Sequence, residues 1–111
     1  GAILETIAPG STSSVRHWLS KSDEFVMVLE GTVTLVSNEG ETALTEGMVA
    51  GFKAGVEDAH QLVNKSDASA RYIVVGSRVP GDDVHYPHDD FKWAESGDGT
   101  WIAARKDGTP Y

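Results

Sequence analysis

The chain has no cysteine. Disulfide staples and thiolate metal sites are thereby excluded, and nothing about redox compartment can be read from thiols. Basic residues are also few: nine Lys and Arg stand against 17 Asp and Glu, giving a formal net charge of −8. A nucleic-acid partner needs a basic face, so none is expected. An anionic membrane surface is excluded on the same ground. No apolar run approaches the length of a membrane span, and no secretory leader is visible behind the opening Gly1-Ala2, so a cytoplasmic location is expected. The glycines are isolated rather than gathered into a phosphate-cradling loop, and no nucleophile elbow accompanies a Ser-His-Asp set. Nucleotide-binding and hydrolase readings fall away.

What remains is a chain of 111 residues, 40% of them apolar, with 12 glycines. That length suits one domain with one core, and the glycines suit a fold of many tight turns. Apolar and β-branched runs recur at close spacing: 3–8, 15–19, 25–30, 32–36, 42–45, 48–52, 60–63 and 71–76. Turn residues separate them, notably Pro9-Gly10, Glu30-Gly31, Asn38-Glu39-Gly40, Glu46-Gly47 and Asn64 to Asp67. About eight short strands with such punctuation predict an all-β sandwich or barrel. After Pro80 the periodicity fades into a stretch rich in Gly, Asp and aromatics. This stretch reads as an irregular tail over residues 79–111, with a turn of helix over Asp89 to Ala94, wrapping the barrel or a partner subunit.

His17, Glu24 and His60 are the polar residues that break the apolar alternation most pointedly. They fall on neighbouring strands, and two imidazoles with one carboxylate can hold a divalent metal. An unpaired Glu24 entering an apolar strand would be costly to bury, and a cationic or metal partner removes that cost. Asn64 reads as a turn former, and Gln61 as pointing away from His60 in a regular strand. His85 and His88 flank Pro87, which disfavours a helix presenting both rings on one face.

Set in order, these residues resemble the two signatures of the cupin superfamily. The first signature reads Gly10, His17-Trp18-Leu19, Glu24 and Gly31; the second reads Gly47, Lys53-Ala54-Gly55, His60 and Asn64. The segments DEFVMVLEG, VGSRVPGDDVHYP and KDGTPY are similar to a subgroup of small bacterial single-domain cupins. The resemblance implies a double-stranded β-helix, or jelly-roll barrel, over about residues 3–78. It also implies a single domain over 1–111 and further sequence ahead of the first strand. It implies a metal held by His17, Glu24 and His60, while Leu19 stands where the family usually has another histidine. Lys53 replaces a usual proline.

Two outcomes follow. In one, the three remaining ligands form an open two-His, one-carboxylate face suited to Fe, Mn, Ni, Zn or Cu, serving a metal-dependent small-molecule enzyme of dioxygenase, isomerase or lyase type. In the other, the barrel carries no metal and binds or senses a small molecule, which Leu19 favours by adding apolar surface. Trp18, Leu19, Met27, Phe52 and Tyr72 are the candidate pocket wall in either case. A homodimer is expected, because barrel edges need covering.

Overall fold

A computed structural model of the chain describes residues 1–95 and 98–111. Every regular element among the described residues is a β-strand. The larger sheet has four strands in the order β1 (Ala2–Ile7), β8 (Ala70–Gly76), β3 (Glu24–Glu30) and β6 (Val49–Phe52). The smaller has three, in the order β5 (Gly40–Leu44), β4 (Val33–Ser37) and β7 (Gln61–Val63). All pairings in both sheets are antiparallel. This is an all-β barrel, as the strand rhythm predicts, in the jelly-roll form that the resemblance implies.

The inward faces show why these segments are strands. Along β3, Val26 and Val28 are buried while Phe25 and Leu29 are exposed, the period of two that an extended chain imposes. Ile7, Val33, Leu44, Leu62, Ala70 and Tyr72 complete the core between the sheets. The turns behave as their residues require. Ser37 pairs with Gly40 across Asn38-Glu39, closing the expected hairpin. Gly31 has φ +80°, and a Cβ there would lie 3.1 Å from the Ala70 backbone, so glycine alone fits without displacing β8.

The tail departs from expectation. It is not irregular: Val84–His85 (β9) pairs with Trp18–Leu19 (β2) on the barrel. Lys92–Glu95 (β10) and Trp101–Ala104 (β11) then form an antiparallel hairpin. The helical turn expected over Asp89 to Ala94 is therefore absent, and its second half is strand. Trp93 strongly favours extended backbone, and pairing with β11 satisfies the main-chain groups that a lone turn would leave open.

Candidate metal centre

Glu24 opens β3 at the middle of the four-stranded sheet, opposite Phe52 on one side and Gly76 on the other. Alternation turns its side chain inward with Val26 and Val28. His17 and His60 are far apart in sequence but joined by the backbone. The His60 amide donates to the His17 carbonyl at 2.9 Å, and the His17 amide returns the bond at 3.2 Å. This isolated bridge holds the imidazoles side by side, centroids 4.9 Å apart. Phe52 stacks flat on His60 at 3.6 Å and fixes its ring plane.

The backbone also sets which ring nitrogen is bare. His17 Nδ1 lies 2.9 Å from the Val15 carbonyl, and His60 Nδ1 lies 3.1 Å from the Asp58 carbonyl. A carbonyl only accepts, so each Nδ1 carries a hydrogen, and in the neutral ring Nε2 presents its lone pair. Ser14 Oγ, 3.3 Å from His17 Nδ1, also donates to Val15 O. Both Nε2 atoms converge on Glu24 Oε1, at 3.5 Å from His17 and 3.2 Å from His60. Three lone-pair donors facing one point repel unless a cation lies between them. A proton on an imidazole meets that need; so does a metal, since ligands about 2 Å from a common ion lie roughly 3 Å apart. All the ligand atoms lie within 4.8 Å of one another, so the donor set fits a metal ion.

The electrostatics agree with this demand for positive charge. Hydrogen bonding to His17 and then to His60 outweighs burial and lowers the Glu24 carboxyl to about 2. At His17, burial opposes the charged form, but the Glu24 hydrogen bond, the Val15 carbonyl and the Glu24 charge outweigh it and raise the pKa.

Two cavities of about 220 Å³ each meet at the triad, sharing Glu24, Phe52 and His60. The outer one is walled by Trp18, Leu19, Lys53 and Val56. The inner one runs past His17 to Tyr72 and Glu5. Trp18, Leu19, Phe52 and Tyr72 thus border cavities at the candidate centre. Met27 does not: it lies on the opposite face of β3 from Glu24 and Val26, against Val49 and Ile73. Gln61, expected to point away, nevertheless borders the inner cavity as well as an outer groove beside His88. Asn64 is fully buried as a turn former, its amide donating to the carbonyls of Ile7 and Ala68. His85 faces Ser20 and stacks on Trp18. Among the described residues, His17, Glu24 and His60 form the one group of three such side chains close enough to share an ion.

Sequence reasoning missed Glu5 and Lys53 as cavity residues. Glu5 shares the inward face of β1 with Ile3 and Ile7, and the Tyr72 hydroxyl donates to it at 3.3 Å. The available signal was a carboxylate on an apolar strand face, the same anomaly that marks Glu24. Burial, followed by the Glu5 charge and hydrogen bond, pushes the Tyr72 phenol up to about 12.

The barrel, the inward triad and the two-signature spacing define the cupin class, and the family described as Cupin domain matches residues 3–76. The chain belongs to that family. A sugar phosphate isomerase of the cupin superfamily from Silicibacter pomeroyi is 40% identical, with a TM-score of 0.86 over 100% of this chain and 70% of its own. A putative sugar phosphate isomerase from Acidithiobacillus ferrooxidans is 26% identical, with a TM-score of 0.81 over the same shares. A salicylate 1,2-dioxygenase from Pseudaminobacter salicylatoxidans, at 20% identity, covers 79% of this chain and 26% of its own with a TM-score of 0.65, a likeness of fold alone. No curated protein matches the chain. No helix is long and apolar enough to cross a membrane.

Proposed function

We propose that the chain is a metal-dependent enzyme acting on a small molecule, with His17 Nε2, Glu24 Oε1 and His60 Nε2 as the protein ligands. The observation that carries this reading is the convergence of those three lone-pair donors, each imidazole held in the required tautomer by a backbone carbonyl. A divalent ion held there would polarise a substrate oxygen.

Among dioxygenase, isomerase and lyase chemistries, similarity to two proteins called sugar phosphate isomerases favours isomerisation of a phosphorylated sugar. The chain's own residues suit that substrate class. Lys53 at the outer cavity supplies a cation for a phosphate. Glu5 and Tyr72 line the inner cavity, where the carboxylate can accept a proton and the phenol can hold one against a substrate oxygen. Phe52, Leu19 and Trp18 give the apolar wall that keeps water from the reacting carbons. The homodimer expected from the sequence is supported by Leu4, Phe25, Val49 and Val75, apolar yet exposed on the four-stranded sheet.

A second reading keeps the barrel metal-free, with the triad as a protonated ion pair and the cavities as a binding site. Leu19 on the cavity wall favours it. One experiment separates the two. Elemental analysis of untagged, chelator-free protein, before and after reconstitution with Fe, Mn, Ni, Zn or Cu, is paired with thermal melting. Stoichiometric metal that raises the melting temperature and is lost in His60→Ala supports the enzyme. Neither binding nor a shift with any of the five would overturn it.

A further inference from the structure

β9 contributes to two compartments. His85 stacks on Trp18 and is bonded to Ser20. Its neighbours Val84 and Tyr86 border a cleft of about 510 Å³ between β9 and the β10–β11 hairpin, and the Tyr86 ring also lies 6.1 Å from the ring of His17. That volume lies in the range of ordinary ligand pockets, and it is more than twice the volume of either cavity at the triad.

The walls of this cleft have a definite chemistry. Trp93 pairs with Ala103, and Glu95 pairs with Trp101, so both indoles and the Glu95 carboxylate share one face of the hairpin. Trp93 is 50% exposed and Trp101 63%, large apolar areas to leave facing water. Asp82 and Asp83 border the cleft opposite. Asp82 is fixed in place, accepting from the amides of Lys21 and Asp83 at 2.7 and 2.8 Å. Lys92 contributes to the wall, but alternation puts it on the other hairpin face from the indoles. There its ammonium acts on Asp107, a carboxyl lowered chiefly by the Thr109 hydroxyl and amide. Open indole faces beside carboxylates attract positive charge, the ring quadrupole and the anions acting in the same direction. The same tail already seats one cation on a ring: the Arg105 guanidinium lies 4.8 Å above the centre of Tyr111.

We propose that the cleft between β9 and the β10–β11 hairpin is a binding site for an organic ammonium ion, held between Trp93 and Trp101 with Asp83 as its counter-charge. The site adjoins the triad through Tyr86 but shares no lining residue with either cavity there. The net charge of −8 adds a long-range attraction for such a ligand.

The test is a titration of the intact chain with tetramethylammonium chloride, against sodium chloride at matched ionic strength, followed through the indole N–H resonances. Saturable shifts at Trp93 and Trp101, with Trp18 unmoved, are expected. Trp101→Ala, a surface change, should weaken the affinity read at Trp93 by about tenfold, with Trp101→Phe intermediate. Asp83→Asn should weaken it by about threefold. Shifts no larger than those in sodium chloride would overturn the proposal. So would an affinity indifferent to Trp101→Ala in a variant whose amide spectrum is otherwise retained. Saturable shifts with methyl glucoside and none with tetramethylammonium would make the cleft a polyol site and end the cation reading.

Discussion

In the barrel the fully buried side chains include Val28, Val33, Tyr72 and Asn64; over residues 79–111, Ala104 alone among the described residues is buried. Two of the tail's aromatic contacts are edge-on instead. Tyr86 stands at 83° to Phe91, and Phe91 at 85° to Trp93, with centroids 4.8 and 5.4 Å apart. Edge-to-face rings attract one another without excluding water on every side. The barrel therefore carries the global stability and the triad, while the hairpin is a lightly anchored wall. Regions with few buried contacts open at lower free energy than cores do.

The sharpest break in that contrast comes from the core. Tyr72→Ala should cost about 3 kcal/mol or more, as truncation of a buried aromatic does, and lower the melting temperature by about 10 °C. Calorimetry or thermal circular dichroism reads it directly. An equal loss from Trp101→Ala would dissolve the distinction between barrel and wall.

Next in size is the triad. Leu19→His should tighten metal binding by about tenfold or more, because position 19 borders the same outer cavity as Glu24 and His60. Isothermal titration with zinc checks it, and unchanged affinity would show that a side chain at 19 does not reach the ion.

A subtler effect lies in pH. Glu24 has a lowered folded pKa, so its stabilisation is present above about 4.5 and is lost as pH falls through about 2. His17 has a raised folded pKa, so its stabilisation is present below 6.5 and is lost as pH rises through the folded value. Metal-free protein should thus gain most from the triad between pH 4.5 and 6.5. Metal-loaded protein should behave oppositely above that window, since ligation requires bare Nε2 atoms. Melting curves across pH with and without zinc, and with Glu24→Gln as the flat reference, distinguish the two.

The smallest effect is expected at the hairpin. Trp101→Ala should change global stability by no more than about 0.5 kcal/mol, read by urea denaturation, because its ring is mostly in water already.

Turn chemistry and closely spaced β-branched runs made the barrel legible: Asn38-Glu39 closes a hairpin, and the runs read over 3–8, 25–30 and 71–76 correspond to β1, β3 and β8. The triad was legible because His17, Glu24 and His60 interrupt apolar strands at a recognisable spacing. Met27 was misplaced because composition marks a residue as apolar without saying which sheet face it takes; counting in twos from Glu24 would have turned it outward. Glu5 went unnoticed because its partner, Tyr72, lies 67 positions away, and only the β1–β8 register brings them together. The hairpin of the tail was hidden for a similar reason. Lys92–Glu95 is too short to show a period, and its strand character comes from pairing with β11 rather than from its own four residues.

The carbonyls of Val15 and Asp58 set, from the main chain, which nitrogen of each imidazole faces Glu24. Main-chain atoms persist through every substitution that leaves the local path intact. The walls around Glu24, apart from the Phe52 that fixes the plane of His60, can consequently be rewritten for new cargo while each ring keeps the nitrogen that the polypeptide turned toward the carboxylate.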